Sequence, residues 1–147
     1  MTVTFCGHKD TCDPDGAIQL WLTQTVEDLI GRGADLFYLG GYGRFDSMAA
    51  SVVREQKKSH PHIQAILVLP YLDRKVDAEG YDGTTYPPLE NVPQRFAISK
   101  RNEWMVNESD VLVAYVLYEW GGAVKTLEYA RRRKKEIVLY PGSKLQI

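Results

Sequence analysis

The chain has 147 residues, of which 44% are hydrophobic and 25% charged, and its formal net charge is −1. That length closes one core rather than two, and the near-neutral balance argues against nucleic acid as a partner, since a general nucleic-acid binder carries a clear basic excess. Met1 runs directly into a strand-like segment and no apolar stretch reaches the roughly 20 residues of a membrane span, so a cytoplasmic protein with no signal peptide and no membrane partner is expected. The two cysteines fit neither zinc spacing nor a disulfide framework; Cys6 reads as a buried thiol and Cys12 as an exposed one.

Strand and helix signals alternate along the chain. Thr2 to Cys6 is a short β-branched and aromatic run that ends at Gly7. A polar loop follows, in which Asp13-Pro14 predicts a helix start, and a helix over about 15–32 puts Ile18, Leu22, Val26, Leu29 and Ile30 on one face. Asp35 to Leu39 reads as a strand, Arg44 to Lys58 as a helix, and Ile63 to Leu69 as a strand buried on both faces. From Tyr71 to Pro93 the period breaks among tyrosines, prolines, glycines and acids, which predicts a lid or ligand-side loop. Arg95 to Glu108 returns to helical period with Trp104 in the apolar stripe. Val111 to Val116 is a strand, and a helix carrying Ala123, Leu127 and Ala130 precedes a last strand at Ile137 to Tyr140. The basic run Arg131 to Lys135 suits a helix end, where cations complement the dipole. About five strands and four helices in strict alternation predict a single doubly wound, Rossmann-like α/β domain over 1–147 with a parallel sheet.

Gly40-Gly41 and Gly121-Gly122 each stand where a strand-like run hands over to a helix-like run. Glycine lets backbone N–H groups approach a ligand, and a helix N-terminus adds unsatisfied donors, so both turns suit phosphate. In an open α/β sheet these turns, with Gly7, fall at the carboxyl ends of strands and converge on one edge. His8 and Lys9 accompany the first turn, Arg44 and Asp46 the second, Lys125, Thr126 and Glu128 the third. Neither a Walker A sequence nor a dinucleotide GxGxxG is present, so no nicotinamide or ATP cofactor is expected, and no metal site. Trp120 borders the third turn and is the better stacking candidate for a base; Tyr42 is another.

The segment ISKRNEWMVNESDVLVAY, followed by GGAVKTLE, resembles the SLOG superfamily, which contains the lysine-decarboxylase-like LOG proteins and the DNA-processing protein A fold. Arg101 falls on the family arginine, Ser109-Asp110 on its Ser-Asp, Gly121-Gly122 on its glycine pair and Glu128 on its closing glutamate. TFCGHKD and GGYGRFD resemble the YpsA-like branch. The chain departs from the LOG pattern at Val124 and Lys125, which replace Gly-Thr, at Trp120, which replaces a proline, and at Asn102, which replaces a second basic residue. A Cβ at Val124 is expected to narrow the phosphate cradle, with Lys125 supplying a compensating charge.

The resemblance implies a nucleotide or nucleotide-derived ligand at the carboxyl edge, held by Gly7, His8, Lys9, Gly40, Gly41, Arg44, Asp46, Trp120, Gly121, Gly122, Lys125 and Thr126. Loss of the Gly-Thr and of the second basic residue favours a sensor or sequestering module. LOG proteins hydrolyse the N-glycosidic bond of nucleoside 5′-monophosphates, which makes Arg101 and Glu128 the catalytic candidates if that activity is kept. A third reading is a protein-interaction module that has retained only the fold. The resemblance also admits self-association, because LOG-like proteins dimerise through helices.

Overall fold

The computed structural model describes residues 1–142. Six parallel strands form one sheet: β1 (Thr2–Gly7), β2 (Leu36–Leu39), β3 (Gln64–Val68), β4 (Gly83–Thr85), β5 (Val111–Tyr115) and β6 (Glu136–Leu139), in the order β4-β3-β2-β1-β5-β6. The helices are α1 (Ala17–Gly31), α2 (Arg44–Lys57), α3 (Ala97–Asn107) and α4 (Gly122–Arg132), with a 3-10 turn at Gln94–Phe96 leading into α3. The strand order reverses at β1, which pairs with β2 on one side and β5 on the other. A parallel sheet opens a crevice at such a reversal, beyond the carboxyl ends of its strands.

Alternation along the central strands builds a core on each face of the sheet. Val3, Phe5, Val111, Val113 and Tyr115 face α1 and α2, while Cys6, Leu112, Ala114 and Val116 face α4. β5 is buried at every position, so its apolar run is unbroken, as the sequence of a doubly covered strand requires. Helix α1 contributes Ile18, Leu22, Val26, Leu29 and Ile30 to the first core, the stripe expected from its period.

The structure corrects three expectations. The sheet has six strands rather than five, because Gly83–Thr85, inside the segment read as an irregular loop, pairs in parallel with β3. Asp82 pins that short strand: its carboxylate accepts the Ala65 N–H at 2.8 Å and pairs with Lys57, and its own N–H donates to the Ala65 carbonyl. Asp13 does not sit at the helix start; Gly16, in the left-handed region, is the N-cap, while the Asp13 carboxylate reaches forward to the N–H groups of Ile18 and Gln19 at 2.9 and 3.0 Å. Trp104 is half-buried rather than central, tilted against Tyr38 with ring centroids 5.2 Å apart. Among the described residues no helix is long and apolar enough to cross a membrane.

Candidate functional site

A cleft of about 480 Å³ opens at the carboxyl edge, beyond the ends of the paired strands β1 and β5. Three elements converge on it: the loop after β1 with His8, Lys9 and Asp10, the face of α3 that carries Ile98, Arg101, Asn102 and Met105, and the start of α4 with Gly121, Gly122, Ala123 and Thr126. The α3 residues recur at three- and four-residue spacing, which brings them to one side of that helix. Tyr118 and Trp120 from the loop after β5 and Asp46 from the first turn of α2 complete the wall.

The N-terminus of α4 differs from those of α1 and α2. At α1 the Asp13 carboxylate, from the loop before the Gly16 N-cap, takes the Ile18 and Gln19 N–H groups, and at α2 the Arg44 N–H donates to the Lys9 carbonyl while the Asp46 carboxylate takes the Tyr42 N–H at 3.1 Å. Helix α4 has neither a side-chain cap nor an acid in its first turn. Gly121 adopts φ +96°, open to glycine, and a Cβ built on Gly121 or Gly122 meets nothing within 4 Å. A helix start of this kind presents free N–H groups and the positive end of its dipole to the cleft. The Thr126 hydroxyl, buried one turn along, donates to the Gly122 carbonyl at 3.0 Å and steadies that turn.

The other glycines expected to cradle a ligand are occupied by the protein. A Cβ on Gly40 would stand 3.1 Å from both the Arg101 guanidinium carbon and an Asp46 carboxylate oxygen; one on Gly41 would fall 2.6 Å from Leu67 Cδ1, and one on Gly7 would strike the Phe45 ring at 2.2 Å. Gly7 still lines the cleft, whereas Gly40 and Gly41 line an adjoining cavity of about 380 Å³ beneath the 71–81 segment. The two glycine pairs are therefore not two walls of one cleft. Arg101, Tyr42 and Ile98 form the partition shared by the two cavities.

Arg101 is 2% exposed. Its Nη1 donates to the carbonyls of Gly40 and Val68, each at 2.8 Å, and its Nε to Asn102 Oδ1 at 2.9 Å. The side chain thus ties together the carboxyl ends of β2 and β3 as well as facing the cleft. Burial lowers its pKa and the nearby Asp46 charge raises it. Asp46 is pushed up to about 6 by desolvation, against the Tyr42 N–H and the Arg101 charge, which both favour the carboxylate. Asp46 is consequently a carboxyl whose charge is adjustable near neutral pH, placed beside a fixed cation.

His8 is buried, and its Nε2 accepts the Leu117 N–H at 2.8 Å, which leaves the proton of the neutral ring on Nδ1. Burial lowers its pKa, so the ring is neutral at pH 7. It begins an aromatic ladder: His8 stacks on Tyr118 at 3.7 Å, and Tyr118 on Trp120 at 4.3 Å. Asp10 accepts the Tyr118 hydroxyl at 3.2 Å. The outer rung, Trp120, is 68% exposed and presents a free face at the cleft mouth. Tyr118, Met105 and Ile98 line the cleft beyond the expected residues; the sequence signal for the first is its Tyr-x-Trp spacing just before the glycine pair, and for the others the helical spacing around Arg101.

Other expected residues fall outside. Glu128 is exposed and does not line the cleft, because it lies two positions beyond Thr126, about 200° around the helix. Lys125 and Arg44 are also exposed and absent from the lining. Val124 does not narrow the cradle: it is buried with Cys6 and Leu127 in the α4 core. Ser109 and Asp110 stand at the amino edge of the sheet, where the Asp110 carboxylate takes the Thr2 N–H at 2.8 Å, far from the cleft mouth. Cys6 lies on the cleft floor with its thiol pKa raised by burial, which makes it inert as a thiolate; Cys12 is exposed.

No known family profile matches the chain. A UPF0398 protein of Halalkalibacterium halodurans is 29% identical over 129 residues, covering 77% of this chain and 67% of that protein. Among solved structures, DNA processing protein A from Helicobacter pylori, described for its single-stranded DNA binding mode, superposes with a TM-score of 0.66 at 16% identity, over 99% of this chain and 67% of that one. DNA processing protein A from Streptococcus pneumoniae gives 0.69 at 19% identity, and the chain spans only 52% of its length. The fold is therefore the Rossmann-like α/β one that these two solved structures share with the chain.

Proposed function

We propose that the chain binds a nucleotide or nucleotide-derived ligand in the β1–β5 cleft, as a sensor or sequestering module, with the phosphate on the N-terminus of α4 and the base against Trp120. The observation that carries this reading is the open turn at Gly121-Gly122, where an uncapped helix start faces a cavity with no Cβ in the way. The charged side chains of the cleft balance, with Lys9 and Arg101 against Asp10 and Asp46, so the selectivity for an anion falls to the backbone donors. The volume lies within the range of small-molecule sites, and the stacked, exposed indole suits a planar base. A hydrolytic variant of this reading would have to use Asp46 rather than Glu128, since Asp46 is the carboxyl in the cleft with a raised pKa. The cytosolic placement read from the sequence remains part of the proposal.

A second reading has specific support. The solved neighbour from Helicobacter pylori is described as binding single-stranded DNA, which weakens the sequence-based argument against nucleic acid, and the Trp120–Tyr118–His8 ladder is a platform on which a single-stranded base could stack. Calorimetry against nucleoside monophosphates, ribose 5-phosphate and a labelled oligothymidine separates the readings. Saturable binding of a monophosphate, lost when its phosphate is removed, supports the first. Tight, salt-sensitive binding of the oligonucleotide with no response to monophosphates supports the second. Silence from all three leaves the interaction-module reading. Release of free base at high protein concentration would establish turnover.

A further inference from the structure

The cavity beneath residues 71–81 adjoins the β1–β5 cleft and has a different chemistry. Its floor is apolar, formed by Leu67, Leu69, Pro70 and Ile98, and the Leu67 side chain occupies the space beside Gly41 where any Cβ would stand. Tyrosine rings at 42, 71 and 81 stand around it. Its charge is one-sided: Arg74, Lys75 and Arg101 line it against the single acid Asp77, whereas the neighbouring cleft is balanced. The Arg74 guanidinium lies 3.9 Å over the Tyr71 ring, which holds that cation at the rim on an aromatic support. At the inner end stands Arg101, almost fully buried and fixed by the Gly40 and Val68 carbonyls.

We propose that this second cavity binds a flat apolar or aromatic group that bears an anionic substituent, the ring lying between the tyrosines and the apolar floor and the anion directed to the cations at its ends. The floor repels water, the rings favour a planar partner, and excess positive charge in a partly dry site discriminates an anion from its neutral analogue. Such a site has its own opening beside the β1–β5 cleft, with Arg101, Tyr42 and Ile98 as the partition between the two.

Naphthalene-2-carboxylate and its neutral carboxamide, titrated separately into isotopically labelled full-length protein and followed by amide NMR, test the proposal. The carboxylate is expected to shift Gly40, Gly41 and the amides between Tyr71 and Tyr81, and the carboxamide to bind about tenfold more weakly, the contribution of one charge-assisted hydrogen bond. Exchanging both rim cations, R74E with K75E, is expected to weaken the carboxylate by roughly tenfold or more and leave the carboxamide unchanged. Val76, half-exposed on the outer wall, can be enlarged without disturbing the core, and Val76→Trp is expected to abolish binding of both. Equal affinity for the two compounds, shifts centred on Gly121–Ala123, or no saturable response would overturn the assignment. Adenosine 5′-monophosphate titrated into the Val76→Trp protein reads the other cleft on its own, so failure of either site is seen independently.

Discussion

The two glycine pairs look alike in sequence and behave oppositely in the structure. At Gly40-Gly41 the missing Cβ atoms make room for the protein: Arg101 and Asp46 pack against the first and Leu67 against the second. At Gly121-Gly122 nothing fills the space, and an uncapped helix start faces a cavity. A glycine turn at the carboxyl edge of a parallel sheet therefore has two uses, close packing of a buried ion and exposure of backbone donors. What separates them is whether the fold already supplies the neighbour.

Substitutions should separate the two turns along the same line. The largest effect is expected at Arg101→Met, which leaves the Gly40 and Val68 carbonyls and the Asp46 carboxyl without their buried cation; a loss of about 3 kcal/mol in urea unfolding is predicted. Gly40→Ala should cost about 1–2 kcal/mol, because the new methyl contacts Arg101 and Asp46 at 3.1 Å and one of them must shift. Gly122→Ala should leave stability unchanged or raised by up to about 1 kcal/mol, since the position is helical and open, while weakening nucleotide monophosphates roughly tenfold or more by calorimetry. If Gly122→Ala unfolds the protein or Gly40→Ala abolishes binding without destabilising it, the contrast between the turns collapses. Trp120→Ala should change stability by less than about 0.5 kcal/mol, given its exposure, and should weaken nucleotides more than ribose 5-phosphate.

Asp46 gives the occupied turn a pH signature. Its folded pKa of about 6 lies above the unfolded 3.8, so between those values the native state binds more protons than the unfolded one. Its contribution to stability therefore falls as pH rises from about 3.8 to about 6 and is constant above. Chemical denaturation across that window should show this slope in the native protein and a flatter profile in Asp46→Asn; identical profiles would contradict the assignment.

Much of the fold was legible because the parallel core repeats a simple pattern: β5 is apolar at every position and α1 carries its stripe at helical spacing. Strand β4 was not, because three residues, Gly-Thr-Thr, carry no apolar alternation and are anchored through the adjacent Asp82, whose partners Ala65 and Lys57 lie 17 and 25 residues away. Among the residues that line the cleft, His8 directly follows β1, while Trp120, Gly121, Gly122 and Thr126 belong to the turn and helix start after β5, a pattern that the alternation of strands and helices makes readable. Glu128 lies outside the cleft lining and Val124 in the α4 core with Cys6 and Leu127, because matching a motif says nothing about which face of a helix a residue occupies. The double role of Arg101, which ties two strand ends and borders two cavities, depends on carbonyls 61 and 33 residues away and has no local sequence signal.

The central claim is that the free donors of α4, not the glycine pair after β2, hold the anion. Amide NMR titration with adenosine 5′-monophosphate, compared with adenosine, tests it most directly. The account predicts phosphate-dependent shifts that are largest at Gly122, Ala123 and Val124 and absent with the nucleoside. Shifts centred on Gly40 and Gly41, or of equal size with adenosine, would contradict it.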